Sequence, residues 1–271
     1  MHIDVQSALN DKNPKLARRI PRFVIHWIER LIHQNEMNQA LDNDPSDSSL
    51  GFARYAMDFF QVKARAVNLD KVPETGRYII VANHPLGGLD GLALISLVGY
   101  RRQDMYFPVN DLLMQLKPMH EIFIPLNKHG ATTQNAVKQL NDVFASDGIV
   151  LYFPAGMCSR KQQGKIQDLE WKKTIIAKAR DYQRDIIPAY VDCQNSAHFY
   201  TIANCRRKLK IKTNIEMLLL PDEAFRQKGK TVTVTFGDPI PSTFFDKSKN
   251  DKMWATWLKE KTYALNHPIQ Y

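Results

Sequence analysis

From residue 61 onward the chain alternates short runs rich in Val, Ile, Tyr and Phe with stretches of helical periodicity, a pattern that leaves few folds open. The β-rich runs are Gln61 to Leu69, Arg77 to Ala82 (RYIIVA), Met105 to Val109, Glu121 to Leu126, Gly148 to Phe153 and Asp185 to Val191. Helical stretches fall between them at Leu89 to Leu97, Asp111 to Lys117, Thr132 to Phe144 and Asp168 to Arg180, and a last one closes the chain at Lys252 to Leu265. Alternation of this kind predicts an α/β fold, with a mixed, largely parallel sheet flanked by helices. Thr231 to Phe236 (TVTVTF) alternates strictly and predicts one more strand, at an edge. No repeat, low-complexity tract or second polar linker divides residues 50–271, which are expected to form one domain.

The chain begins differently. Between Lys15 and His33, residues Leu16, Ile20, Phe23, Val24, Trp27, Ile28, Leu31 and Ile32 recur at three- and four-residue steps and draw one apolar stripe on a helix. Lys15, Arg18, Arg19, Arg22 and Arg30 flank the stripe, and Pro21 starts or kinks its regular part. An apolar stripe, a tryptophan and basic flanks together describe a helix lying in a membrane interface. The same stripe would also serve a helix packed on the rest of the protein, with its arginines solvated. The polar segment Asp42 to Ser49 (DNDPSDSS) reads as a connector, so residues 1–49 are expected to be an N-terminal amphipathic attachment segment and linker.

The remaining composition excludes several classes. With 44% hydrophobic residues in 271, the chain can bury a large core. No apolar charge-free stretch approaches the ~20 residues that span a bilayer, and the first twelve residues lack a basic region followed by an apolar core. Lys and Arg number 37 against 28 Asp and Glu, a net charge of +9, so an anionic partner is expected: nucleic acid, membrane or a small acid. Cys158, Cys193 and Cys205 form no CxxC pair, and His120, His129 and His198 have no metal spacing, so no metal is expected and the compartment is read as the cytoplasm. Ser196 has no GxSxG context, and Cys158 has no histidine near it in sequence. The basic run Arg206 to Lys212 lacks interleaved aromatics, so it reads as a membrane or carrier-protein docking site or as a plain solvated face, ahead of nucleic acid.

The chemistry concentrates in Asn83-His84-Pro85-Leu86-Gly87-Gly88-Leu89-Asp90-Gly91, placed where the RYIIVA strand stops and a helix begins. His84 can take a proton at neutral pH. Asp90, at the helix start, can fold back to the other ring nitrogen, fixing the tautomer and stabilising the imidazolium. Glycines at such a turn expose amide donors to an anion or a developing oxyanion.

NHPLGGLDG after an apolar strand resembles the catalytic block of the glycerolipid and lysophospholipid acyltransferase superfamily. Phe153-Pro154-Ala155-Gly156-Met157-Cys158-Ser159-Arg160, also at a strand end, is similar to that family's FPEGTRS block, in the right order. Ile122 to Asn127 and Ile187 to Val191 resemble two further strand blocks, and Val232 to Pro239 the terminal strand. The resemblance implies a His84–Asp90 dyad acting as general base, backbone donors at Gly87, Gly88 and Gly156, and substrate contacts at Asn83, Asn127, Phe153, Pro154, Ser159, Arg160 and Lys161. It implies no cofactor beyond the acyl-ACP or acyl-CoA co-substrate. The expected partners are that carrier or thioester, a lysolipid acceptor and an anionic membrane surface on the inner face of the cell membrane.

Three departures bear on the acceptor. Five residues, Pro85 to Leu89, separate His84 from Asp90, one more than is usual in the family. Ala155 stands in place of the glutamate of FPEG, and Asn127 where an arginine is common. The longer spacing within HPxGGLDG resembles the branch of bacterial aminolipid acyltransferases, of ornithine or glycine lipids, and proteins labelled haemolysins. A second reading of the same departures is a membrane-surface binding protein on an acyltransferase scaffold that has lost catalysis.

Overall fold

A computed structural model of the chain describes residues 2–12, 14, 18–110, 113–126 and 133–266. Among the described residues four helices come first: α1 (Val5–Lys12), α2 (Arg22–Leu31), α3 (Gln34–Asp42) and α4 (Ser49–Phe59). The alternating part follows as β1 (Lys63–Val67), β2 (Tyr78–Ala82), α5 (Leu89–Val98), β3 (Met105–Val109), β4 (Phe123–Pro125), α6 (Thr133–Ala145) and β5 (Ile149–Tyr152). A small hairpin, β6 (Arg160–Gln162) with β7 (Lys165–Gln167), precedes α7 (Thr174–Asp181), β8 (Asp185–Asp192), α8 (Ala197–Lys208), α9 (Leu220–Phe225), β9 (Thr231–Phe236) and α10 (Asp251–Tyr263).

Among the described residues the main sheet has the order β1-β9-β8-β2-β5-β3-β4. Every neighbouring pair is parallel except β8 with β9, so the expected mixed, largely parallel sheet is present. β2 shows why its sequence is apolar without alternation. Ile80 and Ala82 enter a buried cluster with Phe52, Leu94 and Ile95, while Ile79 and Val81 enter another with Trp171, Ile175 and Trp254. Successive strand residues point to opposite faces, and helices cover both.

The structure corrects several boundaries. β9 lies inside the sheet, between β1 and β8, and not at an edge. Its alternation records Val232, Val234 and Phe236 facing the core, which says nothing about which strands flank it. The helix expected from Asp168 begins only at Thr174, because Asp168 and Trp171 are buried in a loop. Pro21, at φ −61°, is the N-cap of α2 and sets its start. Of the stretch Asp111 to Lys117, residues 111 and 112 lie outside the described residues and the rest forms short 3-10 turns. Helices α1, α3, α4, α8 and α9 and the β6–β7 hairpin had no counterpart in the sequence expectations.

The N-terminal helices touch the sheet domain. His33 stacks on Phe225 with ring centroids 4.1 Å apart and contacts Asp222 through Nε2 at 3.1 Å. Ile25 is buried, whereas Phe23 and Trp27 on the same helix are 74% and 59% exposed.

One buried cation holds the open ends of the sheet layer together. The Arg184 guanidinium donates to the carbonyls of Phe144 at 2.7 Å, Gly148 at 2.7 Å, Val143 at 3.0 Å and Tyr78 at 3.3 Å, and to that of Ser146. It thereby caps the C-terminal end of α6, whose last carbonyls lack intrahelical donors. Desolvation pulls its pKa down to about 10, with Arg77 and Arg102 acting the same way, and it stays charged at neutral pH. Arg184→Met strands these acceptors, at a cost of at least ~3 kcal/mol. Calorimetry should show a melting temperature lower by about 5 °C or more; a variant melting with the parent refutes this account.

Candidate active site

The C-terminal ends of the parallel strands β2, β5 and β8 lie side by side, so the segments leaving them converge. The segment after β2 is anchored by Asn83. Its Nδ2 donates to the Val191 carbonyl at 2.9 Å and its Oδ1 accepts the Val191 N–H at 2.7 Å, fastening β2 to β8. Asn83 is buried and spent on this tie.

His84 Nδ1 lies 2.9 Å from Asp90 Oδ2. The histidine side chain keeps 15% exposure while that of Asp90 is fully buried. The Asp90 carboxylate also shapes the loop that carries the histidine: Oδ2 accepts the N–H of Leu86 at 2.8 Å and of Gly87 at 3.2 Å, and Oδ1 that of Gly91 at 3.0 Å. These bonds explain how five intervening residues still bring the pair into contact. Gly87 makes the bend at φ +84°, and a Cβ there would meet Leu220 at 2.6 Å. Gly88 is exposed as the N-cap of α5, and its N–H makes no hydrogen bond among the described residues.

The second block wraps the same histidine. The Phe153 ring stacks on the imidazole at 4.1 Å and 19°, and meets Phe107 edge-on at 5.2 Å. Ser159 donates its N–H to the His84 carbonyl at 2.7 Å. Gly156 turns at φ +66° with its N–H on the Phe153 carbonyl, and the Pro154 carbonyl accepts from the Lys172 N–H. Ala155, where the family's glutamate would stand, belongs to the buried apolar cluster of Trp171 and Ile175. The amides of Gly87 and Gly156 are thus occupied, which leaves Gly88 of the three glycines.

Arg160 differs most from its expectation. Its guanidinium is buried, pairs with Glu216 at 2.9 Å, bonds the Cys158 carbonyl at 2.7 Å and lies over the Phe199 ring at 5.2 Å. Arg206 meets the other Glu216 oxygen at 2.8 Å, off-axis for a hydrogen bond. A buried carboxylate between two guanidiniums satisfies its charge internally, so neither arginine presents an open cation. Lys161, next in the chain, is exposed. It lines a cavity of about 320 Å³ with Ile166, Asn195 and Tyr200, and Asn195 Nδ2 donates to the Pro85 carbonyl at 3.1 Å beside the histidine. Asn127 lies outside the described residues. Burial pushes the Cys158 thiol up to about 11, which removes it as a nucleophile at neutral pH.

Two residues that the sequence reading placed on the expected Asp168 to Arg180 helix, and not at the site, complete the setting. Asp168, buried, accepts the His84 N–H at 3.1 Å and the Ser159 hydroxyl at 2.6 Å, and Trp171 donates its indole N–H to the same carboxylate at 2.8 Å. No motif marked either residue for the site, and the helical periodicity assigned to them pointed elsewhere.

Electrostatically the pair is poised as a base. Burial lowers the His84 pKa, but the Asp90 charge and hydrogen bond, with Asp168 behind them, outweigh it and leave the imidazole above its ordinary value. Asp90 is held below the usual carboxylate range: burial opposes this, and His84 with the Leu86 and Gly87 amides prevails. With Nδ1–H donated to Asp90, Nε2 carries the free lone pair, and it has no partner among the described residues. Such a group can remove a proton from a hydroxyl and return it to a leaving group. No cluster of His, Cys, Asp or Glu fit to hold a metal occurs among the described residues.

The sequence matches the family model described as Acyltransferase over residues 7–270. It is similar to two proteins named lyso-glycine lipid O-acyltransferase. That of Bacteroides thetaiotaomicron is 42% identical over 265 residues, 97% of each chain. That of Phocaeicola vulgatus is 40% identical over 264 residues, 97% of this chain and 95% of the other. Among solved structures the 1-acyl-sn-glycerophosphate acyltransferase of Thermotoga maritima shares the fold, with a TM-score of 0.51 and 15% identity over 82% of this chain and 80% of that one.

Proposed function

Since the chain belongs to the acyltransferase family and is an O-acyltransferase, we propose that it moves a fatty acyl group from acyl-ACP or acyl-CoA to the hydroxyl of a lysolipid, the acceptor being a lyso-aminolipid of the glycine-lipid kind. The 2.9 Å contact between His84 Nδ1 and Asp90 carries the mechanism. Nε2 of His84 takes the acceptor's hydroxyl proton as its oxygen attacks the thioester carbonyl. The carbon–sulfur bond then breaks and the thiolate recovers the proton from the imidazolium, so no acyl-enzyme forms. Asp90 holds the ring and stabilises its cation. The exposed Gly88 amide is assigned to the tetrahedral oxyanion, and such a donor is worth ~3 kcal/mol. Lys161 is assigned to an anion of the substrates, a headgroup carboxylate or a phosphate of the donor arm.

The test is a matrix of labelled acyl-ACP and acyl-CoA against lyso-glycine lipid, lyso-ornithine lipid and lysophosphatidic acid. Ester formation on lyso-glycine lipid at least tenfold faster than on lysophosphatidic acid is the expected result. Equal rates, or turnover only with the phosphate-bearing acceptor, overturn the acceptor assignment. Vesicle binding without turnover on any acceptor would instead favour a scaffold that has lost catalysis.

An acceptor with fatty chains has to be drawn from a bilayer, and one face of the protein supports peripheral binding on the inner face of the cell membrane. No helix among the described residues is long and apolar enough to cross a membrane. α2, which exposes Phe23 and Trp27, packs against the Ile215–Leu219 turn, and Leu209, Ile211, Ile215 and Leu218 on or before that turn are exposed as well. Arg19, Arg22, Arg207, Lys208, Lys210 and Lys212 are exposed on these same segments. Aromatic side chains ringed by cations suit an anionic lipid surface. Replacing Phe23 and Trp27 together by glutamate is expected to weaken binding to phosphatidylglycerol vesicles by about tenfold or more. Unchanged flotation with those vesicles would remove α2 from the membrane face.

A further inference from the structure

Asp168 follows the β6–β7 hairpin, far from the histidine in sequence, and is completely buried. Its Oδ1 accepts both the backbone N–H of His84, at 3.1 Å, and the Ser159 hydroxyl, at 2.6 Å. Its Oδ2 accepts the Trp171 indole N–H at 2.8 Å. Ser159 in turn gives its own N–H to the His84 carbonyl at 2.7 Å. The backbone of His84 is therefore gripped on both sides, at N–H by Asp168 and at C=O by a serine that Asp168 also holds.

The grip is itself anchored from the last helix. The Asp168 N–H donates to the Tyr263 hydroxyl at 2.7 Å, and the Lys259 ammonium donates to the Asp168 carbonyl at 2.6 Å and that of Leu169 at 3.3 Å. We propose that Asp168 is a positioning residue for the His84–Asp90 dyad, locking the histidine's loop to the second block and both to α10. The proposal rests on His84 being the base.

The chemistry explains why a carboxylate stands there. Three donors converge on two oxygens, and a carboxylate accepts all of them with no hydrogen to misplace; burial holds the Asp168 pKa above its ordinary value, while the Ser159, Trp171 and His84 donors pull it down. An asparagine would turn its NH2 toward Trp171 N–H or toward the Ser159 and His84 donors. The direction of the His84 Cα–Cβ bond then decides whether Nδ1 meets Asp90 and whether the ring lies flat on Phe153, and misplacement by about 1 Å costs about 100-fold in rate. The charged groups acting on the imidazole are Asp90, Asp168 and Arg160. Those around Asp168 are His84, Lys259, Tyr263 and Tyr190.

The experiment compares Asp168→Asn, Trp171→Phe and Tyr263→Phe with the parent in three measurements: thermal melting, kcat and KM for both substrates, and the titration of His84 by NMR of histidine labelled at 13Cε1. For Asp168→Asn the expected result is a kcat lower by about 100-fold with both KM values within about threefold. The His84 resonance should titrate at lower pH, since a neighbouring negative charge is gone. Trp171→Phe keeps that charge and should lower kcat less, with the His84 titration in place. A folded Asp168→Asn protein with parental kcat and parental titration overturns the proposal, as does a loss confined to melting temperature. If Asp168→Asn does not fold, Tyr263→Phe decides: it removes the hydroxyl that holds the Asp168 N–H and meets Ser159 while leaving the Asp168 carboxylate in place, and unchanged kcat with unchanged titration overturns the anchoring. Should no acceptor turn over, the NMR arm still reads Asp168 against His84, which separates failure of this proposal from failure of the assigned reaction.

Discussion

His84→Ala is expected to lower kcat/KM for acyl transfer by about 1,000-fold, a loss of ~4 kcal/mol of transition-state stabilisation. A positioned base contributes most when the nucleophile is a weak acid such as an alcohol, because without it the hydroxyl must attack while still protonated. The loss should fall on kcat, with KM for the thioester little changed, since the ring meets the reacting hydroxyl and makes no claim on the acyl chain. The pH dependence has a determined sign. As the proposed base His84 would act as the neutral imidazole, and its pKa is raised by Asp90 against the effect of burial. Activity therefore rises with pH through a limb displaced above the ordinary histidine value of ~6.5. A purified His84→Ala protein within tenfold of the parent would end the assignment, provided it melts at the parental temperature.

Asp90→Asn is expected to cost about 100- to 10,000-fold, the range seen when the carboxylate behind a catalytic histidine becomes an amide. The substitution separates two functions of this side chain. An asparagine Oδ1 can still accept from Leu86 and Gly87, whose amides Asp90 Oδ2 now holds at 2.8 and 3.2 Å, so the loop largely keeps its path. Asp90→Ala would strand those donors and that of Gly91, and its activity loss would mix chemistry with collapse of the turn. In Asp90→Asn the charge that raises the His84 pKa is gone while burial remains. The acid limb should therefore move to lower pH even as the plateau falls. A plateau loss with the limb unmoved would show that Asp90 shapes the loop without setting the histidine's charge.

The two blocks were legible as linear text because each sits where an apolar strand stops. RYIIVA before Asn83 and the run before Phe153 place His84 and Phe153 at neighbouring strand ends, and β2 and β5 are indeed paired. The strands and most helices between them were equally legible, since side-chain period is set within a few residues by local backbone geometry. The interior place of β9 was not, because TVTVTF reports which residues face the core and nothing about backbone partners on either side. Helix α8 and the hairpin that carries Arg160 lacked any clear period of their own.

Charge was the property that the linear reading misjudged. Arg160 and Arg206 looked like open cations, and each proved to face Glu216 across a buried contact. Asp168 looked like the start of a helix, and it proved to bind the backbone of the histidine. By itself the sequence determined the alternating α/β architecture, the pairing of His84 with Asp90 and the strand ends that carry them, all of which depend on local periodicity and contiguous motifs. Only the tertiary structure decided which charged residues are spent inside the protein and which remain for a substrate. The low-polarity interior makes a buried charge seek a partner wherever the chain brings one, and chain reversals, which no local spacing records, choose that partner.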